Sequence, residues 1–116
     1  MTAPAFVVHD LGQAKAALRA AREQGMRLIL VSAPGAARTL GPAVWREMMA
    51  EAARAEPSAM FEAILDCGSD PGIALGALRE GVKAIVLKAP ADVFAKVADI
   101  ARQSGATIYA QRPDHG

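Results

Sequence analysis

The chain has 116 residues, a formal net charge of +1 and a single cysteine. That length fits one domain, the near-neutral charge excludes the strong basic excess of a typical nucleic-acid binder, and one thiol excludes an internal disulfide framework. With 53% hydrophobic and 22% charged residues the composition is that of a globular chain rather than a disordered one.

In chain order, Phe6-Val7-Val8 reads as a short first strand. Asp10 is a candidate helix cap, and Leu11, Ala14, Ala17, Leu18 and Ala21 recur at helical spacing up to Gln24, before Gly25. Arg27 to Ser32 is a buried strand, and Ala33-Pro34-Gly35 starts a loop. Gly41-Pro42 opens a second helix, with proline at its first turn, running to about Ala55. Val44, Trp45, Met48, Met49 and Ala52 are its apolar stripe, which is the spacing of a core face.

Glu56-Pro57-Ser58 breaks that helix, and Phe61 to Asp66 is a third strand. Asp70-Pro71 caps a third helix that Gly81 ends. Lys83 to Lys88 is a fourth strand. Pro90 and Asp92 start a fourth helix, with Val93, Phe94, Val97, Ala98 and Ile100 on one side and Gly105 at its end. Thr107 to Gln111 is a fifth strand, and Arg112 to Gly116 is a frayed tail.

This is one α/β domain over residues 1–116, with parallel strands joined by crossover helices. Five strands and four helices are expected. Apolar strands without alternation are those of a sheet covered on both faces. The architecture is then a partial, half-barrel-like TIM barrel or an open three-layer sheet, and the pattern leaves both open. No stretch approaches the ~20 apolar residues of a membrane span, and Met-Thr-Ala-Pro-Ala lacks a secretory leader's pattern. A cytoplasmic protein is expected, with neither membrane nor nucleic acid among its partners.

Ligands of parallel α/β folds sit at the carboxyl ends of the strands. There Asp66 is a candidate general acid or base, and Cys67 a candidate thiolate, though a lone cysteine also serves as a small buried hydrophobe. Lys88 at a strand end is a Schiff-base candidate if desolvated, or a side chain reaching for water. Gly35-Ala36-Ala37-Arg38 precedes a helix and is a candidate phosphate cradle without the P-loop spacing. His9 fits a loop or cap. Two histidines and one thiol make a zinc site within one chain hard to build.

Together these segments resemble the class II, zinc-dependent fructose-bisphosphate or ketose-bisphosphate aldolases, which are eight-stranded (β/α) barrels. Leu28-Ile29-Leu30-Val31-Ser32-Ala33-Pro34-Gly35-Ala36-Ala37 is similar, with a one-residue shift in the loop, to the family's second strand and Ser-x-Gly-Ala loop. Leu65-Asp66-Cys67-Gly68-Ser69-Asp70 resembles its Leu-Asp-His-Gly-Asp strand end. Trp45 to Ala53, Ala74 to Val86 and Gly105 to Gln111 add weaker matches in the same order, so the likeness covers Val8 to Gln111.

The resemblance implies a truncated barrel of five strands. Asp66 matches the family's catalytic aspartate, and Ser32 a serine near the substrate. Cys67 stands where the family has a zinc-binding histidine, and Gln111 where it has a metal-binding glutamate. Lys88 stands near a position that is usually Asp.

What is expected is a non-catalytic aldolase-like module that binds a protein partner or a small phosphorylated metabolite. Ser32, Gly35 and Lys88 are its substrate-side residues, and Asp66 its catalytic residue if any chemistry remains. No cofactor is expected. The alternative is a lyase whose composite site, with zinc, forms on oligomerisation. Open strand edges make a homodimer or higher homo-oligomer the expected state. A convergent flavodoxin-like domain is a third possibility, and strand order separates it from a barrel piece.

Overall fold

The computed structural model describes residues 3–113. Five strands and five helices alternate: β1 Ala5–Val7, α1 Leu11–Glu23, β2 Arg27–Val31, α2 Ala36–Thr39, α3 Pro42–Ala55, β3 Met60–Asp66, α4 Pro71–Arg79, β4 Ala84–Val86, α5 Ala91–Gln103 and β5 Thr107–Tyr109. The strands form one sheet, all parallel, in the order β1-β2-β3-β4-β5.

The helix ends follow from local chemistry. The Asp10 carboxylate accepts the Gln13 N–H at 2.8 Å, and the Gln13 side chain accepts the His9 N–H at 2.7 Å, so His9 belongs to the α1 cap. Asp70 accepts the Ile73 N–H at 3.1 Å ahead of Pro71. After α1 the chain turns at Gly25, whose φ of 65° lies in the region only glycine enters freely.

Sequential order decides the architecture. When every crossover has the same hand and the strands advance in one direction, all helices fall on one face of the sheet. The packing agrees. Leu28, Leu30, Leu65, Ile85 and Leu87 share one apolar cluster with Leu18, Trp45, Met49, Ala74, Ala77 and Val97 of the helices. The opposite face is a separate cluster of strand residues alone: Val31, Ile64, Ala84 and Val86 with Ile29 and Tyr109. The molecule is therefore two-layered, a piece of a barrel wall. The three-layer alternative and the flavodoxin-like order both fail on this point.

Three other expectations are corrected. A fifth helix is present, because Gly35 bends the chain into the single turn Ala36–Thr39 where a loop was expected. Val44, in the apolar stripe of the helix after Gly41, is exposed at 52%, so that stripe is not wholly buried. Arg112 is not frayed, as described below, while Asp114 to Gly116 lie outside the described residues.

Between helices, the buried Glu56 carboxylate takes Arg22 at 2.7 Å and Arg19 at 3.3 Å, tying the end of α3 to α1. Among the described residues no helix is long and apolar enough to cross a membrane.

Candidate functional site

A parallel sheet delivers all its strand ends to one rim. β2, β3, β4 and β5 bring Ser32, Asp66, Lys88 and Gln111 there, and the loop after β2 adds Gly35.

Asp66 is the last residue of β3 and is only 4% exposed. Its Oδ1 accepts the Gly35 N–H at 3.0 Å and the Gly68 N–H at 2.7 Å. Its Oδ2 accepts Arg112 Nη1 at 2.8 Å. Its own N–H donates to Ser32 Oγ at 2.9 Å, and that hydroxyl donates to the Ala33 carbonyl at 3.2 Å. Arg112 Nη1 also donates to the Ser32 carbonyl at 3.0 Å.

The local fold makes this clamp possible. Ser32 N–H bonds Ile64 O at 3.0 Å, which carries the β2–β3 register past the strand end. Gly35 then turns at φ 65°, which aims its N–H back at Asp66. A Cβ on Gly68 would lie 3.6 Å from Gly35 Cα, so the two turns are packed together.

The clamp brings together Asp66, Ser32 and Gly35 as the sequence placed them, but as a braced loop junction. Its fourth member, Arg112, was missed. Its partners Asp66 and Ser32 lie 46 and 80 residues earlier in the chain, and no local pattern marks it.

Cys67 takes the other side of the strand. Its side chain is 3% exposed and sits in the helix-side cluster, with only a weak Sγ contact to Leu65 O at 3.9 Å. Burial pushes the thiol up to about 12, and the carboxylates of Asp66 and Asp70 add to the shift. At neutral pH it is a protonated thiol, packed in the helix-side core rather than presented at the rim.

Lys88 and Gln111 are exposed and share a cleft of about 680 Å³ with Phe94 and Arg112. The Lys88 backbone N–H bonds Gly68 O at 2.8 Å, so the lysine is tied to the Asp66 loop through main chain. Arg112 walls this cleft on one side and reaches Asp66 on the other.

The residues present do not fit a zinc ion. Among the described residues no group of three or more His, Cys, Asp or Glu converges. Both Asp66 oxygens already accept from donors, one of them the Arg112 guanidinium. Zinc needs three or four such ligands.

Comparison with known proteins places this arrangement. The model of the class-II fructose-bisphosphate aldolase family matches residues 1–105. A fructose-bisphosphate aldolase of Xanthobacter flavus is 30% identical over 119 aligned residues, covering 90% of this chain and 34% of that protein. A plasmid fructose-bisphosphate aldolase of Cupriavidus necator is 32% identical over 84 residues, covering 72% of this chain and 24% of that protein. The chain thus spans a quarter to a third of the length of the curated relatives it matches. Family match, sequential parallel strands and an aspartate at the end of β3 agree: this chain belongs to the class-II fructose-bisphosphate aldolase family.

Proposed function

We propose that this chain is a non-catalytic, aldolase-type β/α module that works by association. The observation carrying this is the state of Asp66. At the position of the family's acid/base aspartate, the carboxylate accepts two backbone N–H groups and one guanidinium. A proton shuttle needs a free lone pair within ~3 Å of a substrate atom, and here donors take three of the carboxylate's roughly four acceptor sites, both of those on Oδ1 among them. The neighbouring Cys67, at a zinc-ligand position of the family, faces the helix-side core as a protonated thiol.

The partner is a second copy of the chain. Among the described residues β1 and β5 each have one unpaired edge, and Phe6 and Val7 on the β1 edge are 49% and 36% exposed. Such edges are stabilised by pairing. A small phosphorylated metabolite would take the cleft of Lys88 and Gln111, where the exposed Lys88 supplies the positive charge.

The test is a coupled assay for fructose bisphosphate cleavage with added zinc, run beside sedimentation equilibrium. No turnover and a dimer are expected. Zinc-dependent turnover that Asp66→Asn abolishes would establish the composite-site enzyme instead, and a monomer at high concentration would remove the self-association half.

A further inference from the structure

The opposite end of the sheet carries a cleft that the aldolase-like rim does not use. β3 pairs with β2 from Met60 through Ile64, but meets β4 only at Leu65 and Asp66. Upstream of Leu65 the two strands diverge, and a cleft of about 520 Å³ opens at their amino ends. That is within the range of small-molecule sites.

Its apolar side is Trp45, Met49 and Phe61, all part of the main cluster. Its polar side holds three cations, Arg27, Arg46 and Lys83, against one carboxylate, Glu62. Glu62 already accepts the Tyr109 hydroxyl at 2.8 Å. Arg46 is held by the Glu80 carbonyl at 2.6 Å and faces Glu80 and Glu47 carboxylates. Lys83 donates to the Ser104 carbonyl at 3.0 Å, which leaves it other N–H donors. The side chain of Arg27, at the start of β2, makes no hydrogen bond or ion pair among the described residues.

We propose that this cleft binds a small organic anion, a planar apolar body carrying a phosphate or carboxylate. The ring would pack against Phe61, the partly exposed member of the apolar side, above the buried Trp45 and Met49, and the anion would face Arg27 and Lys83. A bare inorganic anion would use only the cationic half. An uncharged aromatic would leave the cations without a partner.

Trp45 is the one tryptophan in the chain and lines the cleft, so its emission reports occupancy. The probes are phenyl phosphate, benzoate, inorganic phosphate and phenol, titrated into the whole protein. Phenyl phosphate or benzoate is expected to give a saturable change, and the stronger of the two identifies the anion. Inorganic phosphate and phenol should each bind at least about tenfold more weakly.

Arg27→Gln and Lys83→Gln remove exposed charges without touching the core, and each should weaken binding about tenfold, the effect of losing one charge-assisted hydrogen bond. Lys96→Gln, on the exposed side of α5, should leave it unchanged. No saturable response overturns the proposal. So does a response that survives both Arg27→Gln and Lys83→Gln, or one that Lys88→Gln abolishes, since that would put the probe at the other end of the sheet.

Discussion

Replacing Arg112 by alanine should destabilise the fold out of proportion to its place near the end of the chain. Its guanidinium, with the side chain 16% exposed, holds an Asp66 carboxylate whose side chain is 6% exposed. Removing one partner of a fully buried ion pair costs about 3–5 kcal/mol. Here two backbone N–H groups stay on Oδ1, and losing the long side chain lets water reach Oδ2. The expected cost of Arg112→Ala is therefore about 2 kcal/mol. Asp66→Ala strips the acceptor from Gly35, Gly68 and Arg112 together and should cost about 3–4 kcal/mol.

Because Arg112 also bonds the Ser32 carbonyl, the double variant is needed to isolate the pair. It should be less destabilised than the two singles added together, by about 1–2 kcal/mol. Urea unfolding reads this directly. With a slope of about 2 kcal/mol per molar, Arg112→Ala moves the midpoint down by roughly 1 M. An Arg112→Ala midpoint within about 0.2 M of the parent, with strict additivity in the double variant, would refute the clamp as a structural element.

Other outcomes follow from the same physics. Cys67 holds its proton more tightly folded than unfolded, since burial raises it from 9.0 to about 12. Stability should be level below pH ~9 and fall as pH rises towards 12, by at most about 1.4 kcal/mol per pH unit for this group, and Cys67→Ser should remove that limb. Tyr109, raised from 10.0 to about 12 by burial and by its bond to Glu62, adds a second limb at higher pH, so Tyr109→Phe should flatten the curve there. The Cys67 thiol should resist an aromatic disulfide reagent at pH 8 in the folded protein and react at once in urea. Hydrogen bonds from Arg22 and then Arg19 hold the Glu56 carboxyl below its usual range of about 4.5. Its contribution is present above that pH and fades as acid titrates the folded carboxyl, so Glu56→Gln should lower the thermal midpoint at pH 7 and by progressively less as pH falls below 4.5. Gly35→Ala meets no atom within 4 Å but must adopt φ 65°, so strain alone should cost about 1 kcal/mol, a fall of about 4–5 °C in thermal midpoint.

Much of the fold is legible in the chain because its signals are local. Asp10, Asp70 and Pro42 mark helix starts, and a short apolar run such as Leu28 to Val31, bounded by Gly25 and Pro34, reads as a buried strand. The layer count is not local. Apolar runs of this kind suit a sheet covered on both faces, yet the face away from the helices hides Val31, Ile64 and Val86 among strand residues alone. The single turn Ala36–Thr39 is too short for periodicity to reveal, and only the left-handed Gly35 before it hints at a bend.

The same division runs through the site. Asp66, Ser32 and Gly35 are visible because they end strands or begin loops. Arg112 and the Glu62–Tyr109 contact join residues 46 and 47 positions apart, which composition and spacing do not encode. The side of the strand that Cys67 takes follows from the period of two, but only once β3 is known to end at Asp66.

The most direct test of the central claim, that the Asp66 junction is a structural clamp and not a metal-assisted acid/base site, is native mass spectrometry with equimolar zinc. The account predicts a dimer whose mass is unchanged by zinc, in the parent and in Cys67→Ser alike. One zinc per chain in the parent, lost in Cys67→Ser, would contradict it.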